Sequence, residues 1–288
     1  ILTLYMVKTK KNRGKNKPIV QSLWVGNELS RMEYYSILSY LKLGYDFHLY
    51  TYEHVKNVPN GTTILDGNKI IPKKQIFKLK EKQKETFLPF ADIFRYKMLY
   101  ENGGYWTDLD MIAIKQFDFN QPFVFSSERT IQKGPYRNRT KKEISNIGIL
   151  KAPKHSEFYK ELSELCISKI GKVKETIQFM RINRELIDKY MLHKYIKKAK
   201  LFCPLDWWHT KDAFYVTDKF KDKYGVKGYT ISSVLKNAYT VHMWRHLMYN
   251  RHKIDLTKTY DKDTLWEILK TLVDSKPKRL TKKRSTKR

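Results

Sequence analysis

The stretch Asn102-Gly103-Gly104-Tyr105-Trp106-Thr107-Asp108-Leu109-Asp110 decides how this chain is read. Its paired glycines stop a helix, and its aromatic and β-branched residues then favour a strand. That strand ends on two carboxylates one residue apart. Residues 111–114 (MIAI) are apolar again, so the two acids interrupt a buried segment and do not belong to a solvated charge run. Carboxylates are costly in such a place unless paired or bound to a cation, and oxygen donors so spaced suit one hard ion such as Mn²⁺ or Mg²⁺. Just upstream, spacing predicts a helix over 90–100, with Phe90, Ile93, Phe94 and Met98 on its apolar side and Asp92 and Arg95 sharing another. An Asp-x-Asp is common by chance, and an acid–Arg pair on a helix is ordinarily a weak surface salt bridge. Their closeness to one another is what singles them out.

Working outward, residues 19–25 (IVQSLWV) form an apolar run closed by Gly26, the pattern of a buried first strand. Ser30 and Glu33 make a capping box, opening a helix with Ile37, Leu38 and Leu41 on one side and Gly44 as its stop. Residues 47–52 and 62–65 read as the second and third strands, the latter after an Asn60-Gly61 turn. The Lys-rich passage 73–84 reads as a loop or short surface helix. Downstream, 123–126 and 147–150 read as strands, 157–165 and 182–195 as helices, and 239–244 as a last strand. Asp263 caps a final helix carrying Leu265, Ile268, Leu269 and Leu272. Strands and helices interleave without an internal repeat. The class is α/β, a mainly parallel sheet flanked by helices, with ligands expected beyond the strands' carboxyl ends.

Of 288 residues, 58 are Lys or Arg and 29 Asp or Glu, a formal charge of +29. Six basic residues fall in 8–17 and eight in 276–288, with no acid in either run; removing them still leaves +15 on the rest. Such runs are ordinarily solvated arms, but clustered Lys and Arg also suit an anionic surface or polyanion. No apolar run reaches the roughly 18 residues of a membrane-spanning helix, so a soluble, cytoplasmic protein is expected. If the protein is viral, that means the host cytoplasm. Met6 is an alternative start. Two cysteines, Cys166 and Cys203, are too few for a disulfide scaffold and are read as buried thiols. The sequons at Asn60 and Asn138 are read as incidental.

The block from Ala91 to Asp110, with its acid, Arg, double Gly and paired Asp in that order, resembles the DxD sugar-binding region of Och1-like and capsular-polysaccharide glycosyltransferases, family 32. At Asp92, Arg95, Asp108 and Asp110 it is also similar to the clostridial glucosylating toxins. Patches of resemblance continue at Ser22–Gly26, at Ser145-Asn146 and at Val241-His242-Met243-Trp244. The resemblance implies a GT-A fold over residues 18–250; the C-terminal helix, assigned to 251–275, and the basic segments 1–17 and 276–288 lie outside it. It implies retaining, metal-dependent transfer of a hexose from a nucleotide sugar, UDP-linked by preference or GDP-mannose, to a glycan or protein hydroxyl. Trp24 would stack on the base and Val25 meet it through backbone; Asp92 and Arg95 would hold nucleoside and sugar. Asp108 would contact ribose, sugar or metal, Asp110 and His242 would ligate Mn²⁺ or Mg²⁺, Asn146 would lie near the sugar and Trp244 near the β-phosphate.

The chain departs from the family pattern at 174–179 (KETIQF), where many members carry a Gly-Pro step. Cys203-Pro204-Leu205-Asp206-Trp207-Trp208 matches the Pro- and aromatic-rich segment that comes next, and its Trp pair suits a sugar platform or plain core packing equally. Glu128 and Asp206 are the carboxylates that sequence context offers as a nucleophile, although the resembling families are discussed in terms of front-face attack. His242 taken alone reads as a core histidine. Two other classes fit parts of the sequence. A metal-dependent nucleic-acid enzyme or binder would use the same aspartates and the basic arms. An inactive relative would bind glycans without turning them over, though intact Asp108, Asp110 and His242 count against it.

Overall fold

The computed structural model describes residues 18–81, 84–133, 139–224 and 226–275. The two basic ends and the Asn138 sequon lie outside the described residues. Strand β1 (Ile19–Leu23) leads to helix α1 (Arg31–Lys42), whose N-terminus carries the expected capping box: Met32 N–H donates to the Ser30 hydroxyl and Ser30 N–H to Glu33. Strands β2 (Asp46–Thr51) and β3 (Thr63–Asp66) come next, both parallel to β1. A small antiparallel hairpin, β4 (Leu79–Glu81) and β5 (Lys84–Thr86), occupies the passage expected to be loop or helix.

Helix α2 (Leu88–Asn102) starts with Pro89 in its first turn, where a missing N–H costs nothing, and ends at Gly103. Gly103 is obligatory there: its φ is +65°, and a Cβ would sit 2.5 Å from the Lys154 backbone nitrogen. The chain turns directly into β6 (Gly104–Thr107), parallel to β1, and then into β7 (Met111–Ala113). Strands β8 (Val124–Lys133) and β9 (Arg139–Ala152) are longer than their apolar cores suggest and pair antiparallel along most of their length. The six-stranded sheet runs β3-β2-β1-β6-β9-β8, its first four strands parallel and β9 antiparallel to β6.

Helices α2, α3 (Glu157–Ile167) and α4 (Gln178–Lys189) cover one face through Phe90, Phe94, Leu99, Phe158, Leu162 and Phe179, all buried against Trp106 and Leu150. Truncating one of these rings to Ala would cost about 3–5 kcal/mol. Helix α4 lies earlier than the expected 182–195. Met191 adopts φ +55° and Leu192 N–H reaches back to Ile187 O, a left-handed stop that the apolar spacing does not announce. Short helices α5 (Ala199–Phe202), α6 (Asp212–Tyr215) and α7 (Ile231–Leu235) then lead to β10 (Thr240–His242), α8 (Arg245–Asn250) and α9 (Leu265–Asp274). Thr264, and not Asp263, caps α9: its hydroxyl accepts from Glu267 N–H, while Asp263 N–H is held by Asp261. Leu265, Trp266 and Leu269 bury against Phe214 and Met32, giving the chain a helical C-terminal part packed on α1. Both cysteines are free and buried. Among the described residues no helix is long and apolar enough to cross a membrane.

Strand β10, the last strand expected, pairs with β7 outside the main sheet, antiparallel, with His242 opposite Met111. That register brings the residue after Asp110 level with His242. A two-stranded ribbon thus carries a distant histidine to the carboxylate turn.

Candidate functional site

The parallel strands end where β6 runs out, and Asp108, Leu109 and Asp110 form the turn from β6 to β7. Asp108 is fixed from three sides. Its N–H donates to Gly148 O at 2.9 Å, and its Oδ1 receives the Trp106 indole N–H at 2.8 Å and Arg95 Nη1 at 2.9 Å. Arg95, only 3% exposed, also pairs with Asp92 at 3.1 Å and donates to Ile147 O at 2.8 Å. The shared helix face of Asp92 and Arg95 is therefore real, but the pair lies under the site and is not a surface ornament. Burial drives the Asp92 carboxyl up to about 7 against the pull of Arg95, and burial likewise raises Asp108.

Asp110 belongs to the other side of the turn. Its Oδ2 lies 3.2 Å from His242 Nε2 and accepts Arg245 N–H at 2.8 Å, while its carbonyl accepts Met243 N–H. Burial opposes the charged form of both partners, yet their mutual attraction outweighs it: the Asp110 carboxyl falls below the usual range and the His242 imidazole rises well above its own. On its far edge, His242 Nδ1 faces the Cys203 sulfur at 3.8 Å, and its ring stacks on Trp244 at 3.9 Å. Trp244 has φ +56°, and its indole N–H donates to Leu205 O.

A register break between β8 and β9 sets Asn146. Phe125 faces Leu150 but Ser127 faces Ser145, so residues 146–149 bulge. Ser126 Oγ accepts Ile149 N–H and donates to Asn146 Oδ1, which also accepts Gly148 N–H. The Asn146 amide then donates to Glu128 at 3.0 Å and reaches the Cys203 sulfur at 3.5 Å. Glu128, Asn146, Cys203, His242 and Asp110 thus form one connected chain of contacts. Asp206 does not join it; it is buried and bonded to Arg129, which also donates to Pro204 O.

Trp24 and Val25 come directly after β1 and are half-buried, and the Trp24 backbone N–H donates to Tyr50 O. The Trp24 indole nitrogen has no hydrogen-bond partner among the described residues. Over its ring, at 5.4 Å, lies the guanidinium of Arg245, which is bonded to the wholly buried Glu33. Trp208 is 6% exposed and packs edge-on to Trp207, so core packing holds for Trp208, while Trp207 is only half-buried.

The metal ligand set expected from the sequence is only partly assembled. Asp110 and His242 converge with donor atoms of the right chemistry, one carboxylate oxygen and one imidazole nitrogen, at a spacing that suits neighbouring ligands of one ion. Asp108 is drawn instead to Arg95. Among the described residues no group of three His, Cys, Asp or Glu is placed to hold a metal ion. Two surface depressions lie elsewhere, one of about 590 Å³ along residues 53–58 and one of about 340 Å³ at Gln21, Tyr50 and Asn102. Sequence reasoning misses Arg245, Cys203 and the Asn146–Glu128 contact. No local signal announces them: in the sequence Glu33 reads only as a capping-box residue, and its burial beside Arg245 appears with the fold.

Residues 30–128 match the family model described as glycosyltransferase sugar-binding region containing DXD motif. That segment holds Asp92, Arg95, Asp108 and Asp110, and it marks the chain as a glycosyltransferase; Trp24, Asn146, His242 and Arg245 lie outside it. No curated protein matches the chain. Among solved structures, the PaToxG glycosyltransferase is similar over 61% of this chain and 70% of its own, at 15% identity and a TM-score of 0.42.

Proposed function

We propose that this enzyme transfers a hexose from a nucleotide sugar, UDP-linked by preference, to a hydroxyl of a glycan or protein, with retention at the anomeric carbon. The observation that carries the donor site is the apposition of Asp110 and His242 where the DXD turn leaves the sheet. In this reading Asp110 and His242 hold Mn²⁺ or Mg²⁺, and the ion supplies positive charge to the departing diphosphate.

The chain's own residues do the rest. Trp24 offers a flat, half-buried ring to the base, its indole nitrogen being itself buried, and Val25 offers backbone. Arg95 clamps Asp108 between guanidinium and indole, so one oxygen is fixed and the other is left to meet ribose or sugar hydroxyls. Asp92 serves through Arg95 by balancing its charge. Asn146, its amide engaged by Ser126, Gly148 and Glu128, sits on the bulge near the transferred sugar and holds the Glu128 carboxylate there. Trp244 orients the His242 ring by stacking. With Asp206 closed off by Arg129, Glu128 is the carboxylate available to stabilise positive charge at the anomeric carbon. Burial around the turn strengthens each of these interactions relative to water.

The test is nucleotide release from a panel of UDP- and GDP-sugars, with and without Mn²⁺, by wild type and Asp110→Ala. Metal-dependent release from one donor, lost in the variant, supports the reading and names the sugar. Silence across the panel, together with no thermal shift by any nucleotide, overturns it.

A further inference from the structure

Arg245 is absent from every sequence signal yet occupies a singular position. Its backbone N–H is 2.8 Å from Asp110 Oδ2, and its guanidinium lies 5.4 Å over the Trp24 ring and 5.1 Å over that of Tyr249. Residue 245 therefore spans the distance from the metal-ligand carboxylate to the base platform. In a nucleoside diphosphate, the phosphates lie between the base and the cation that neutralises them.

The side chain is also built for that place. Glu33, 0% exposed, receives the guanidinium through Arg245 Nε, which leaves both terminal nitrogens of the fork unassigned among the described residues, and the Arg245 side chain remains 43% exposed. Glu33 is itself anchored by Ser30 N–H at 2.8 Å, and Tyr249 is anchored by its own hydroxyl on Ser30. Trp244, in the left-handed region at φ +56°, immediately precedes Arg245, whose backbone meets Asp110 while its side chain meets Glu33 and Trp24. A planar cation held through Nε on a part-exposed side chain, beside a carboxylate turn, suits bidentate oxyanion recognition.

Resting on the donor-site reading above, we infer that Arg245 binds the diphosphate of the nucleotide sugar and its nucleoside diphosphate product, preorganised by Glu33. It supplies a fixed positive charge to the leaving group that no metal has to bring.

The experiment is calorimetric titration of UDP, uridine, GDP and guanosine into wild type, Arg245→Gln, Arg245→Lys and the double variant Glu33→Gln/Arg245→Gln, each with and without Mn²⁺. The double variant keeps a hydrogen-bonded pair at this position without a buried unpaired carboxylate, so folding loss is separated from binding loss; melting curves check it. A charge-assisted hydrogen bond contributes about 1.5–3 kcal/mol, so the diphosphate Kd should rise at least about tenfold in both Gln-bearing variants while the nucleoside Kd stays constant, and Arg245→Lys should recover part of the loss. Equal weakening of nucleoside and diphosphate would assign Arg245 to Trp24 alone and overturn the inference, as would an unchanged diphosphate Kd. Failure of wild type to bind any nucleotide would instead remove the donor-site reading and the role of Arg245 with it.

Discussion

Asp110 and His242, 132 residues apart in the chain, meet at 3.2 Å because β7 and β10 form a two-stranded ribbon detached from the main sheet. The ribbon's register puts His242 opposite Met111, and Met243 N–H closes onto Asp110 O. The contact is thus built by backbone pairing first and by charge second.

His242→Ala should therefore leave the sheet intact and remove activity. We expect at least a hundredfold fall in metal-dependent nucleotide release, on the order of the loss from deleting one fixed transition-state stabiliser. Circular dichroism should change little, because the ribbon's backbone bonds remain, while the melting temperature should fall by several degrees, because Asp110 loses its buried partner.

Replacing Arg95 should be structural in its effect. Arg95→Met would strand Asp92 and Asp108 in the interior without their shared cation, at a cost of about 3–5 kcal/mol near neutral pH. Urea denaturation should show part of that loss restored at pH 5, where the two carboxyls take up protons.

Asp92 gives a pH signature of its own. Its carboxyl is pushed up to about 7 by burial from an ordinary 3.8, so between those values the folded chain holds a proton the unfolded chain has released. The associated stability is complete below the unfolded pKa and is lost as pH rises through the folded one. The unfolding free energy of wild type, measured against Asp92→Asn, should therefore fall between about pH 4 and pH 7 and stay level above.

Gly103→Ala tests the hinge between α2 and β6. With φ at +65° and the Lys154 backbone nitrogen 2.5 Å from the new methyl group, the strand bearing the aspartates must shift. Destabilisation of more than about 1 kcal/mol is expected, with a fall in activity exceeding that of Gly171→Ala, where a methyl group meets nothing.

Much of this architecture is legible in the residues. The capping box, the first three strands, helix α2 and the carboxylate turn rest on local chemistry, a few residues deciding each, and the spacing of Asp92, Arg95 and Asp108 is enough to group them. What stays hidden depends on distant pairing. Nothing local at 240–242 says that this strand joins β7 and not the sheet edge, and nothing at Asn146 announces a bulge that turns its amide toward Glu128. The polar length of β8 and β9 conceals a long hairpin, because strands paired mainly to each other need little apolar patterning. Arg245 is invisible because only the folded chain brings it to Glu33.

The ribbon also sets an order of events at birth. A nascent chain that has completed β7 has made its aspartate turn, but the partner of that strand is translated more than a hundred residues later. Until β10 emerges, β7 is an unpaired apolar edge, the kind of surface that recruits other strands or a chaperone. In the donor-site reading above, competence waits on β10, so products that stop short of it would carry most of the sheet and yet turn over no sugar.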